Sequence, residues 1–190
     1  SPTTFDMRYC TSRLGAIETI MMGCAYAQMG KYYGLPTHMY LGLSDTKVVD
    51  AQSGFESGIG ITLGALAGIN VISGPGMLDF ENCQSFEKLV IDDSICGMAL
   101  RLINGIDVND ETLAVDVIRR VGAGGHYLAQ KHTLEWLSKE IFIPSDLVDR
   151  QNSNLWKKLG SKDSVQRARE IAQKILRDHK PEALPTDVEK

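Results

Sequence analysis

The sequence has 190 residues, 43% of them hydrophobic and 23% charged, ordinary values for one globular domain with a sizeable core. A net charge of -4 offers no basic surplus for a nucleic-acid face, and no apolar run reaches the roughly 18 residues of a membrane span. The opening SPTTFDMRYC has no apolar signal-peptide core, so a cytoplasmic location is expected. The four cysteines (Cys10, Cys24, Cys83 and Cys96) form no C-x-x-C pair and lie beside no histidine at zinc-ligand spacing. Reduced, mostly buried thiols are expected.

Residues 15–33 predict a helix with Ile17, Ile20, Met21, Cys24 and Gln28 on one stripe, stopped by Gly34 and Pro36. THMYLGL (37–43) is short, apolar and rich in strand formers, the pattern of a strand buried on both faces. Asp50 is placed to cap the next helix, 51–68, whose Gly54, Gly58, Gly64 and Gly68 predict close packing against a neighbour. NVISG (70–74) is a second strand ended by Gly-Pro-Gly. Ser85 opens a long helix, 84–104, with Phe86, Leu89, Val90, Ile95, Met98, Ala99 and Leu102 as its apolar face. Asp110 can cap a shorter helix through Arg120, which VGAGGHYL breaks. TLEWLSKEIF and KDSVQRAREIAQKILRDHK predict two amphipathic helices, the last with Val165, Ala168, Ile171, Ala172, Ile175 and Leu176 as its stripe. The tail from 181 to 190 reads as loose.

Strands alternating with long helices imply βαβ units and a parallel sheet. Two strands cannot complete a (β/α)8 barrel, which takes about 250 residues. The expected fold is therefore α/β: residues 1–107 as the C-terminal portion of a TIM barrel, and 108–180 as a helical extension packed on it. The unpaired strand edges of such a portion need cover, either from self-association into a homo-oligomer or from a preceding part of a longer protein.

In parallel α/β proteins the working loops follow the carboxyl ends of strands. SDTKVVD follows the first strand and SGPGM the second, so both belong on one rim. Asp45, Lys47 and Asp50 can hold a charged ligand there or one another. The glycines of SGPGM, Gly74 among them, permit close backbone approach but are also ordinary turn residues. Asp92 and Asp93 are adjacent on one helix and cannot address one metal ion, so a solvated face is expected and no metal site.

YYGLPTHMYLGLSDTKVVDAQSGFES resembles the trimethylamine methyltransferase family of corrinoid-dependent methyltransferases. The matching pieces are Tyr33-Gly34-Leu35-Pro36, Ser44-Asp45-Thr46-Lys47, Asp50-Ala51-Gln52 and Glu56. FDMR (5–8), SFEKLVIDDSICG (85–97), VGAGGHYLAQKHTLEW (121–136) and RAREIAQKIL match too, so the resemblance spans nearly the whole chain and corresponds to the C-terminal part of a longer polypeptide. It implies a TIM-barrel enzyme that moves a methyl group from a methylated amine to the Co(I) of a separate corrinoid protein by SN2 transfer. The corrinoid would be supplied by that partner, with no cofactor held tightly by this chain. Only standard residues occur, which points to the branch without pyrrolysine, whose substrates are quaternary amines such as glycine betaine.

A quaternary ammonium has no acidic proton, so carboxylates and aromatic faces must recognise it. Asp45 can face the cationic nitrogen and Lys47 a substrate carboxylate, the alternative being a mutual salt bridge. Tyr40 can contribute an aromatic wall or pack in the core. Gln52 and Glu56 share one helix face, and Glu56 can instead be solvated or paired. Arg8, placed with Asp6 at another strand end, can bind a carboxylate or form a structural pair. His126 can face the corrinoid or serve the structure; His132 reads as structural, and His38 and His179 carry no role. Two alternatives stand beside this reading. One is a non-catalytic assembly or corrinoid-protein-binding fragment. The other is a different TIM-barrel enzyme, for which SGPGM lacks the basic neighbour of a phosphate site.

Overall fold

The computed structural model describes residues 2–183. The chain opens with a hairpin, β1 (Thr4–Asp6) and β2 (Thr11–Arg13), and runs into helix α1 (Ile17–Tyr32). Strand β3 (His38–Tyr40), helix α2 (Ala51–Ala67) and strand β4 (Val71–Ser73) follow as one βαβ unit. Its two strands are parallel, with Met39 opposite Ile72. A second hairpin, β5 (Met77–Leu78) and β6 (Cys83–Gln84), leads to α3 (Phe86–Ile103). The rest is helical: α4 (Asp110–Leu113), α5 (Val115–Val121), α6 (Lys131–Glu140), α7 (Ser153–Lys158) and α8 (Ser164–Asp178).

The mixed α/β class and the parallel strand pair match expectation. The sheet content differs. The strands form three separate two-stranded sheets, and no closed barrel exists among the described residues. The expected loose tail lies, from residue 184 onward, outside those residues.

Local chemistry explains the central unit. Asp50 caps α2 by accepting from the Ser53 amide, while Ser53 Oγ accepts from the Asp50 amide. Gly68 ends the helix in a left-handed conformation that a side chain would strain. Ile20, Ala27, Met39, Leu41 and Ile69 form the core between α1, α2 and the strands. Contact between α2 and β3 depends on Gly60 and Gly64. A Cβ on Gly60 would clash with the Leu41 carbonyl, and one on Gly64 would lie 2.8 Å from Leu41 Cδ1. Gly54 and Gly58 face open space, so only part of the expected glycine contact exists.

Other expectations are corrected. On α1 the buried face is Thr19, Ile20, Gly23, Ala27 and Gly30, while Ile17, Met21 and Gln28 are exposed. Small residues let this helix seat closely, and Gly23 lies against Met39. The helix expected over 110–120 is split at Ala114, whose φ of 49° breaks it, and its cap is Asn109. Cys10 and Cys83 are exposed thiols, and Cys24 and Cys96 are half-buried. The largest difference is on α3. Phe86, Leu89, Met98 and Leu102 are exposed, whereas Lys88 and Asp92 are completely buried. Asp92 is therefore not on a solvated face; it is a core residue, paired with Lys88 one turn earlier.

The C-terminal helices attach to α3 through polar bonds and through the apolar face of α8, where Ala168 and Ala172 are buried. Arg101 donates to the Glu140 carbonyl at 3.0 Å and to its carboxylate at 2.8 Å. Arg169 on α8 reaches Glu87 at 2.9 Å. Phe142 fits where Gly97 has no side chain.

Candidate functional site

Strands β3 and β4 run parallel, so the segments after them emerge at one end of the pair. The Gly42 amide donates to the Ser73 carbonyl at 2.9 Å, and Gly74 packs directly on Leu43. An open cleft of about 460 Å³ lies at this end. Its walls come from the first hairpin (Asp6, Tyr9), the start of α1, the β3–α2 loop (Asp45, Lys47), α2 (Gln52, Glu56) and the β5–β6 turn (Phe80).

Half-buried Asp45 is anchored rather than free. Its Oδ1 accepts from the amides of Leu14 and Gly15, at 3.1 and 3.0 Å, just ahead of α1. Its Oδ2 has no hydrogen bond among the described residues. Burial raises the pKa of Asp45 above the ordinary carboxylate value, and the nearby Glu56 charge adds to this against the two amides. Glu56 is gripped on both oxygens: Ser44 Oγ and the Asp45 amide donate to Oε2, and Gln52 donates to Oε1 at 2.9 Å. The two carboxylates thus belong to one network, joined through the backbone of Asp45.

Gly15 makes room for this network. A Cβ there would lie 2.6 Å from Glu56 Oε2. Gly15→Ala is expected to push the Glu56 carboxylate out of its Ser44 and Asp45 bonds, lowering stability by about 1–3 kcal/mol, two net hydrogen bonds. Urea unfolding of wild type and variant measures this.

Lys47 does not pair with the Asp45 carboxylate. Its ammonium donates to the Asp45 carbonyl at 2.8 Å, pairs with Asp79 at 3.3 Å, and sits 4.0 Å from the centroid of the Phe80 ring. Asp79, Phe80 and Glu81 all have positive φ, at 50°, 56° and 73°. Each left-handed step costs an ordinary residue roughly 1–2 kcal/mol, and such strain gathers at working sites. Nothing in the apolar pattern after Gly-Pro-Gly marks this turn or Phe80. The available signal was a four-residue link, Asp79-Phe80-Glu81-Asn82, rich in turn formers.

Arg8 forms a two-pronged pair with Asp6, at 3.0 and 2.7 Å, which holds the Asp6 carboxyl well below the usual carboxylate range. The same guanidinium lies 5.3 Å from the Tyr9 ring centroid. Arg8 is not among the residues lining the cleft, and the structural pair with Asp6 is the arrangement adopted here. Tyr40 packs edge-on to His38 and does not line the cleft. Gly74 is buried beneath the rim with φ at 101°. His126 is exposed in the loop between α5 and α6 and also lies off the cleft. His132 Nε2–H donates to the Glu111 carbonyl at 2.8 Å and the ring stacks on Trp136, a structural placement.

Below the rim sits the buried pair on α3. Lys88 Nζ donates to Asp92, to Ser57 Oγ at 2.8 Å and to the Gly42 carbonyl at 3.2 Å. The same Asp92 oxygen accepts from the Gly76 amide at 2.6 Å. Four elements of the mouth are tied at this point. Burial pushes the Lys88 pKa down and the Asp92 pKa up, each against the pull of its partner. Among the described residues, the other Asp92 oxygen is buried without a partner.

A cleft lined by carboxylates at the carboxyl ends of parallel strands is the kind of site that α/β enzymes build on their working rim. Residues 2–190 match the family model described as trimethylamine methyltransferase (MTTB), and the chain belongs to that family. It is 37% identical over 188 residues to a trimethylamine methyltransferase of Desulfitobacterium hafniense, covering 99% of this chain. A trimethylamine methyltransferase of Methanosarcina thermophila is 38% identical over 190 residues, again 99% of this chain. A glycine betaine methyltransferase of Desulfitobacterium hafniense is 37% identical over 185 residues, 97% of this chain. The chain spans 38% of the length of each of these relatives.

Proposed function

We propose that the protein takes a methyl group from a methylated amine, a quaternary one, and passes it to the cobalt of a corrinoid protein. Family membership supports the reaction class. The observation that carries the substrate class is the cleft itself, where Asp45 and Glu56 hold negative charge beside the aromatic walls Tyr9 and Phe80. In this reading the rim belongs to a TIM barrel completed by strands outside the parallel pair described here.

The corrinoid enters as a substrate carried by another protein and supplies the nucleophile. The methyl carbon–nitrogen bond breaks as the carbon–cobalt bond forms, and the electron pair stays on nitrogen. A quaternary ammonium leaves as a neutral amine, so no general acid is needed. The work left to this chain is to hold the cation in line and keep water from the reacting carbon. Asp45 Oδ2, free of donors among the described residues, faces the positive nitrogen. Glu56, fixed by three donors, supplies a second negative charge. Lys47 is placed to meet a substrate carboxylate.

The direct test mixes full-length protein, a Co(I) corrinoid protein and candidate amines, and follows methyl transfer by the cobalt absorption spectrum. Transfer from a quaternary or tertiary methylamine is expected. Its absence with every such amine would overturn the assignment. Asp45→Asn keeps an oxygen for the two amides and removes the charge. It is expected to weaken amine binding about tenfold, about 1.4 kcal/mol, without loss of fold by circular dichroism. The sign of the pH dependence follows from the raised pKa. The ionised carboxylate binds the cation, so wild-type affinity should fall on acidification, beginning above the pH at which an ordinary carboxylate protonates. The variant should lack that part of the profile; an unchanged profile removes Asp45 from the binding site.

A further inference from the structure

Two aromatic rings line the cleft, and each is faced by a cation from this chain: Arg8 over Tyr9 and Lys47 over Phe80. The two cations differ in how they are held. Arg8 is clamped in two prongs by Asp6. Lys47 is on a flexible stem, its side chain 60% exposed, with a single carboxylate partner at 3.3 Å. The ammonium at 4.0 Å shows that the Phe80 ring is presented with its face available to a cation. That presentation is fixed by the backbone. The left-handed run 79–81 is pinned to the β3–α2 loop, where the Asp79 amide donates to the Thr46 carbonyl at 2.9 Å, and the turn closes with Asn82 donating to Asp79.

We propose that Phe80 is the residue that recognises the methylated cation, and that Lys47 covers its ring until the substrate displaces it. The proposal rests on the reading of the cleft as a methylated-amine site. An ammonium with hydrogens keeps its donors satisfied elsewhere, as Lys47 does at the Asp45 carbonyl and Asp79. A fully methylated nitrogen has no N–H to donate, so carboxylate charge and a ring face are the attractions open to it. The exchange therefore favours methylated over unmethylated amines: the ring goes to the ion that cannot use the other partners, and Lys47 swings out with Asp79.

Tetramethylammonium chloride is the probe, because it carries no carboxylate for Lys47 to meet. Its binding to full-length wild type, Phe80→Leu, Lys47→Met and the double variant is measured by calorimetry, with circular dichroism as the fold control. Phe80→Leu is expected to weaken binding roughly 2- to 30-fold, the range of one cation–π contact. Lys47→Met is expected to tighten it, and that gain should disappear in the double variant. Equal binding by wild type and Phe80→Leu would overturn the proposal. So would a gain from Lys47→Met that survives at full size without Phe80, since loss of a like charge would then explain it. If wild type transfers methyl groups from an amine yet does not bind the probe, the ring assignment alone fails. If it neither transfers nor binds, the assignment of function fails with it.

Discussion

Lys88→Met should destabilise the protein by about 3–5 kcal/mol, the penalty for leaving one partner of a buried ion pair uncompensated. Lys88 is completely buried and bonds to three groups on three different segments: Asp92 on its own helix, Ser57 on α2, and the Gly42 carbonyl after β3. Methionine has a similar length and fills the space, so the loss is electrostatic rather than a cavity. Asp92 would then stand buried with the Gly76 amide as its remaining donor. The pH dependence distinguishes this cause from simple misfit. With Lys88 gone, burial keeps the folded-state pKa of Asp92 above its unfolded value. The penalty is then fully present above the folded pKa and is relieved as pH falls through it. Urea unfolding at several pH values should show the deficit shrinking on acidification; a deficit independent of pH would refute the account. The double variant with Asp92→Leu should recover the larger part of the loss, leaving the cost of an unpaired Gly76 amide.

The second large effect is expected at Gly60. An added methyl group would collide with the Leu41 carbonyl, and its next contact, the Leu41 carbonyl carbon, lies at 3.1 Å. Both are backbone atoms in the strand–loop that leads to Ser44 and Asp45, so no flexible side chain can yield. Gly60→Ala should lower stability by about 2–3 kcal/mol, the upper part of the usual range of about 1–3 kcal/mol for overpacking because both colliding atoms are backbone, even after the better helix propensity of alanine. Gly54→Ala on the same helix is the internal control. It meets nothing within 4 Å, so relief from glycine's backbone freedom should raise stability by about 0.5–1 kcal/mol. Thermal unfolding of the two variants should therefore shift in opposite directions. Shifts of the same sign would mean that α2 does not lie against β3 as described.

The sequence was most readable where one physical pattern dominated. THMYLGL and NVISG are short apolar runs, and both contain strands. Asp50 and Ser85 cap where their chemistry predicts, whereas Gly68, read as a packing glycine, is the left-handed cap that ends α2. The first hairpin was harder to see because Thr4–Asp6 and Thr11–Arg13 are polar and three residues long. On α3 the periodicity of apolar residues was only partly right: of the expected stripe Ala99 is buried and Val90 and Ile95 half-buried, while Phe86, Leu89, Met98 and Leu102 are exposed. Beside Ala99, its inner side carries Lys88, Asp92 and Ser94, residues that hydropathy assigns to water and that only a network of partners makes tolerable inside. Asp45, Lys47, Gln52 and Glu56 were legible as rim residues because they follow a strand and start a helix. Their bonding was not, because Asp45 is held by amides 30 and 31 residues earlier. Phe80 was invisible for a similar reason: its position depends on a backbone conformation that its own residue type disfavours.

The reach of those Asp45 bonds bears on how the cleft comes into being. Its walls are drawn from the hairpin near residue 6, the loop near 45 and the turn near 80, so no local segment contains it. Loop closure over such separations is slow, and non-local pairings of this kind are completed late in folding. The mouth should therefore assemble in the last cooperative step, and amide exchange at Gly15 and Gly76 should report the same opening event despite their distance along the chain.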